Sequence, residues 1–267
     1  MTTRRATVDR PWFLLGPGVI AVAFLIVPLG ALVLEAPWGS LTSIITTPSA
    51  LEALRLSLVT SVTATGLAAL IGIPLAWLLS RDLLPATRLI RALVVVPLLL
   101  PPVVSGVALL AAFGRRGLVG GPLYDWFGVQ FPFTTAGVVL AETFVALPFL
   151  VITLEGGFRS LDRRYEDAAL TLGASSWTVL RRVTLPLVGP AIAAGLVLCW
   201  ARALGEFGAT ITFAGNLPGV TQTMPLAVYT ALESDRDVAI ALSLLLLAVS
   251  VGVLVALRGH YLRGTAR

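Results

Sequence analysis

From Ser160 to Pro190 the chain reads SLDRRYEDAALTLGASSWTVLRRVTLPLVGP, a polar segment between two long apolar stretches. Within it Asp167-Ala168-Ala169 is followed after three residues by Gly173, after nine more by Val183, and one residue later by Leu185-Pro186. Asp162, Glu166 and Asp167 load negative charge toward the start of a helix predicted over about Leu161–Leu172, with Ser160 as N-cap and Gly173 in the left-handed position that stops it. Ser175 or Ser176 can cap a second short helix with Arg181 and Arg182 in its last turn, after which Pro186 and Pro190 lead into the next apolar stretch. A connector between spans needs only a few residues, so two helices around a glycine make a knob shaped to be received by something else. Ala168, Ala169 and Ala174 are small, and Ala169, Leu172 and Gly173 share an apolar face over which a groove can close.

With 57% hydrophobic and 12% charged residues over 267 positions, the chain is far from the balance of a soluble domain. Its mean hydropathy is +0.93. These values predict an integral membrane protein, all-α once the long apolar stretches below are read as helices. One Cys (Cys199) and one His (His260) allow no internal disulfide and no His/Cys zinc cluster, so both are expected to be incidental and no metal is expected. The net charge of +5 comes from arginine alone, spread over short loops; that is the distribution of topology signals, not of a nucleic-acid face.

Six stretches are long and apolar enough to cross roughly 30 Å of hydrocarbon as helices. They fall near Trp12–Leu34, Leu56–Leu79, Leu89–Ala112, Thr135–Leu154, Ala191–Phe213 and Val238–Leu257. Met1–Arg10 starts like a signal peptide, but the first span is too long and lacks a small-residue cleavage site, so it is expected to remain. One side collects Arg4, Arg5 and Arg10, then Arg81, Arg88 and Arg91, then Arg159, Arg163, Arg164, Arg181 and Arg182, and finally Arg258, Arg263 and Arg267. The other has only Arg115, Arg116 and Arg236. By the positive-inside rule both termini and the knob are cytoplasmic. Domain organisation follows: residues 1–50 hold the N-terminal segment, first span and outer loop, 51–257 the five-helix core with the knob at about 155–190, and 258–267 the tail. Tyr124, Trp126 and Phe127 suit an interfacial belt.

The knob resembles the EAA loop of ABC-importer permeases, whose pattern is Glu-Ala-Ala, three residues, Gly, nine residues, Ile, one residue, Leu-Pro. The residues that carry it are Glu166, Asp167, Ala168, Ala169, Gly173, Val183, Leu185 and Pro186. Asp167 stands where the family usually has Glu, with Glu166 before it, and Val183 replaces Ile. A second resemblance runs from Ala201-Arg202-Ala203-Leu204-Gly205-Glu206-Phe207-Gly208-Ala209-Thr210 through Ala214-Gly215-Asn216 to Thr221–Tyr229. It is similar to the molybdate and tungstate importer permeases and, more loosely, to those for sulfate and thiosulfate. The resemblance covers most of the chain, from about Leu56 to Leu257. It implies a type I permease fold of six helices in a bacterial or archaeal cell membrane. It also implies a second copy of the chain, a cytoplasmic ABC ATPase dimer that receives the knob, and an external oxyanion-binding protein. ATP and Mg would be used by the ATPase. No Gly-x4-Gly-Lys phosphate loop exists in a chain without lysine, so energy has to arrive from a partner.

Arg202 and Glu206 are four residues apart on the expected fifth span, and Glu142 lies on the fourth at a similar depth. Each costs roughly 2.5–3.5 kcal/mol in hydrocarbon on insertion scales, so all three are expected to face the interior as one network. Two acids to one base speak for a gate or a helix-pinning network rather than an oxyanion site; direct contact with the anion and simple neutralisation of Glu206 by Arg202 stay open. Gly205, Gly208, Gly215, Thr210 and Thr212, with Ser57, Thr60, Ser61, Thr63 and Thr65 on the second span, can offer hydroxyl and N–H groups to an anion or serve helix packing. Pro97, Pro101 and Pro102 are expected to bend or break the third span. An intramembrane enzyme using Glu142 and Glu206 would need a nucleophile or metal constellation, and the sequence has none; a passive channel would leave the knob unexplained.

Overall fold

The computed structural model describes the backbone of residues 12–264 and the side-chain surroundings of residues 13–256. Arg4, Arg5 and Arg10, and the side chains of Arg258, His260, Arg263 and Arg267, lie outside the described residues. A 3-10 turn, Trp12–Leu14, leads into α1 (Leu15–Leu34); α2 (Leu41–Ile45), α3 (Pro48–Ser80), α4 (Thr87–Leu99), α5 (Pro102–Phe113), α6 (Gly120–Phe127) and α7 (Thr135–Ser160) follow. The second half holds α8 (Arg164–Thr171), α9 (Ser176–Val179), a π-helical turn at Leu180–Thr184, α10 (Leu185–Leu204), α11 (Gly208–Phe213), α12 (Met224–Leu232) and α13 (Arg236–Gly264). Among the described residues there is no strand.

Three long helices, α3, α7 and α10, form the centre. Their contact depends on small residues: Ala64, Ala68, Gly72 and Ala76 recur every fourth position and make one buried stripe on α3. Without such a stripe helix axes cannot approach closely enough to gain dispersion energy in lipid, where burial of apolar surface drives little. A Cβ on Gly72 would lie 2.9 Å from Leu147 Cδ1 and 3.2 Å from Leu150 Cδ2. Gly72→Leu is therefore expected to cost about 1–3 kcal/mol through overpacking. Gly156→Leu, at an open position on α7, should cost much less. Thermal unfolding of the two variants in detergent checks the difference; equal melting temperatures would remove the stripe's role.

A second cluster joins the start of α3 to α12 and α13, and a third joins α5, α7 and α11. α1 lies at the periphery against α13 with none of its residues buried.

Two of the expected spans are not single helices. The third breaks at Leu100–Pro101, and α4 and α5 meet at 118°. Pro101 is extended (φ −53°, ψ 138°) and Pro102 opens α5, so the break follows from the ring's fixed φ and the missing N–H, while Pro97 is carried inside α4. The fifth does not run from Ala191 to Phe213. It begins in the knob, runs unbroken from Ser176 to Leu204, stops at Gly205, and resumes after Phe207 as the separate α11. The second short helix of the knob is thus the first turn of a span, and Arg181 and Arg182 sit in its π turn rather than at a helix end. The other spans stand where expected, lengthened to Pro48 on α3, to Ser160 on α7 and to Gly264 on α13.

Candidate functional site: the knob and the buried charges

Ser160 does not cap the knob helix; it ends α7, its Oγ donating to Gly157 O at 2.9 Å. The start of α8 is held by Asp162 Oδ1, which accepts from Arg164 N at 3.0 Å. Glu166 and Asp167 occupy the first turn, where the free N–H groups favour negative charge. Gly173 closes the helix with φ +84°. Its N–H reaches Leu170 O at 2.9 Å and that of Ala174 reaches Ala169 O at 3.1 Å, the paired bonds of a glycine stop. Ser175 Oγ then accepts from Thr178 N at 3.3 Å and starts α9.

Asp167, Ala168, Gly173 and Pro186 are exposed, Ala169, Val183 and Leu185 are half-buried, and Leu172 is 88% exposed. Tyr165 and Trp177 are exposed beside them, so the apolar surface of the knob is larger than its glycine and alanines alone suggest. Glu166 turns the other way: both of its oxygens lie 2.6 Å from Arg81 Nη2, and Oε1 accepts from Thr184 Oγ1 at 2.5 Å.

A second ionic set lies at the same end of the bundle. Arg91 donates through Nε to Glu155 Oε1 at 2.6 Å and through Nη2 to Asp82 Oδ1 and Leu79 O, each at 2.7 Å. Arg159 also reaches Glu155 at 3.1 Å. The hydrogen bond from Arg91 holds the Asp82 carboxyl below the usual carboxylate range. What that pair adds to stability is thus present at neutral pH and is lost as pH falls through the lowered value.

Inside the bundle, Glu142 is 1% exposed and accepts from Thr60 Oγ1 at 2.8 Å. Glu206 is 2% exposed and lies 2.6 Å from Arg202 Nη2, while its Oε1 accepts from Ala209 N at 2.7 Å. The hydrogen bonds of the three expected charges fall into two sets among the described residues, one tying α3 to α7 and one tying the end of α10 to the start of α11. Glu206 lies beyond its helix, where it folds forward as a cap. Gly205 is the residue at which α10 ends, and Gly208 is a close contact, since a Cβ there would lie 2.4 Å from Pro102 Cβ. Thr212 lines the same contact from α11, 2.5 Å from a Cβ placed on Gly106. Thr210 is fully buried, with no hydrogen-bond partner for its hydroxyl among the described residues.

The hydroxyls of α3 divide. Ser57 Oγ accepts from Met224 N at 2.7 Å, whereas those of Thr63 and Thr65 return to carbonyls of their own helix at 2.7 Å, so only part of the row serves other elements. Arg81 and Thr184, read in the sequence as a topology charge and a spacer, hold Glu166. No sequence signal pairs residues 85 positions apart. Trp126 and Phe127 on α6 are exposed and Arg115 stacks 4.1 Å over the Tyr124 ring, an amphipathic edge that suits an interface. Among the described residues no group of His, Cys, Asp and Glu is placed to hold a metal ion.

Residues 68–262 match the model of a family described as the binding-protein-dependent transport system inner membrane component. The chain belongs to this family. It is thus a multi-pass membrane transport component rather than an enzyme, and the acid–base alternative for Glu142 and Glu206 falls. The molybdenum transport system permease protein ModB of Mycobacterium tuberculosis is 47% identical over 257 residues, 96% of this chain and 97% of that one. The sulfate transport system permease protein CysT of Escherichia coli is 34% identical over 245 residues, 89% of this chain and 87% of its own length. Among solved structures, a chain of a bacterial ABC transporter importing the acidic polysaccharide alginate superposes with a TM-score of 0.73 over 96% of this chain and 97% of that one, at 19% identity. The shared fold is that of the type I ABC-importer permeases.

Proposed function

We propose that this permease is the membrane-spanning half of an ATP-driven importer that moves molybdate, or a closely similar tetrahedral oxyanion, into the cytoplasm by alternating access. The observation that carries the substrate is the near full-length likeness to a molybdenum permease, closer than the likeness to a sulfate permease. The mechanism rests on the knob. A short rigid element with exposed Tyr165, Leu172 and Trp177 is suited to a cleft on a cytoplasmic ATPase, and a rigid-body motion of that ATPase would reach the core directly because α9, the π turn and α10 are one continuous rod. Arg81, Arg91, Arg159, Arg163 and Arg164 at the knob end support a cytoplasmic knob and cytoplasmic termini.

The partners are a second copy of this chain, an ABC ATPase dimer and an extracytoplasmic oxyanion-binding protein. Two copies fit because the centre of the bundle is filled by α3, α7 and α10, which leaves the pathway to be formed between chains. Native mass spectrometry of the intact complex is expected to give two permeases to two ATPases, and one permease copy would overturn the pairing. Vesicles holding permease and ATPase, given the binding protein and ATP, are expected to take up labelled molybdate, with tungstate competing better than sulfate. Uptake of sulfate that molybdate does not inhibit would favour the sulfate reading instead.

A further inference from the structure

We infer that Glu166 is the positioning residue that locks the knob to the bundle, so that α8, the end of α3 and the start of α10 move as one body. This deepens the transporter reading and rests on it, since a lock of this kind matters only if a partner drives the knob.

α8 buries none of its residues, and Tyr165, Leu170 and Leu172 all point into solvent. A helix of eight residues without a buried apolar face has little to fix its place, because helices this short are held by packing rather than by their own hydrogen bonds. The Glu166 carboxylate supplies the missing attachment. It takes Arg81, the residue that ends α3, and Thr184, the last residue of the π turn, so a single side chain ties three elements. The Arg81 and Glu166 side chains are only 12% and 13% exposed, which places the pair outside the screened, weak class of surface ion pairs. Thr184 is 1% exposed, and π turns are uncommon insertions that recur at functional sites. Here the turn ends on the hydroxyl that reaches the lock.

The two neighbouring acids thus divide the work. Asp167 occupies the family's Glu position and faces outward, free to meet a partner, whereas Glu166 faces inward and sets where α8 stands.

The test uses the full-length permease assembled with its ATPase, in vesicles. Glu166→Gln keeps the shape and removes the charge. It is expected to speed amide exchange across residues 164–171 roughly tenfold, the scale of a lost charge-assisted hydrogen bond, and to lower transport per ATP hydrolysed by a similar factor while hydrolysis persists. Arg81→Gln should do the same, and the double variant should be no worse than either single one. Thr184→Val removes one hydroxyl and no charge, so it keeps the test readable if the charge variants assemble poorly; roughly threefold faster exchange is expected. Asp167→Asn should leave exchange in α8 unchanged. Unchanged exchange in Glu166→Gln and Thr184→Val, or additive losses in the double variant, would overturn the lock. Exchange is read without any transported ion. A wild-type complex that fails to transport therefore counts against the transporter reading alone, and normal transport with unchanged exchange counts against the lock alone.

Discussion

Gly173→Trp is expected to lower transport at least about tenfold, the scale of one lost docking contact, while the spans remain inserted and folded. Nothing lies within 4 Å of a Cβ built on Gly173, so a side chain there meets no atom of its own chain and projects outward among the exposed residues of the knob. The backbone is a second consideration, because φ is +84°, where an L residue other than Gly or Asn is strained by roughly 1–2 kcal/mol. Gly173→Asn separates the two effects: asparagine tolerates the left-handed conformation and adds little bulk, so it should keep transport within about threefold of the parent. Equal losses in both variants would assign the glycine to helix termination rather than docking. A tryptophan variant that binds its ATPase and transports normally would sink the docking role altogether.

The glycine stop was legible because it is local. Gly173 ends a run of helix formers, and only a residue free to take positive φ can turn the chain so that Ala174 N bonds back to Ala169 O. The break between α4 and α5 was legible for the same reason, two adjacent prolines at Pro101 and Pro102. The extension of α3 to Pro48 had an overlooked local signal: Thr47 accepts from Ala50 N at 3.4 Å and Pro48 opens the helix, the usual start for a proline at the first position.

What escaped the sequence is tertiary. The interruption at Gly205–Phe207 contains no proline and lies inside an apolar run, so hydropathy reads straight through it. It exists because Glu206 turns forward to cap Ala209 N and because Gly208 packs against Pro102, contacts that only the folded bundle supplies. The π turn and the Arg81–Glu166 pair are of the same kind. Charge counting placed Arg81 at the knob end of the bundle, but not against a carboxylate 85 residues away.

Arg202→Gln is expected to destabilise the region where α10 gives way to α11 by about 1–3 kcal/mol, the cost of taking a partner from a buried acceptor, and to lower transport with it. Glu206 is 2% exposed, so losing Arg202 leaves a buried carboxylate whose one remaining donor among the described residues is Ala209 N. Glu206→Gln alone keeps an oxygen to accept from Ala209 N and leaves the partly exposed Arg202 able to reach water, so its loss should be smaller. The double variant Arg202→Gln with Glu206→Gln removes both charges. It should recover much of the stability and part of the transport lost in Arg202→Gln, a coupling read by a double-mutant cycle on thermal unfolding and vesicle uptake. Recovery is the expected result because Glu206 does two structural jobs at once, neutralising Arg202 and capping α11, and neither requires an anion. Were Arg202 instead the group that grips the oxyanion, transport would fall equally in the single and double variants while both melted like the parent. That outcome would move the substrate pathway onto the break between α10 and α11.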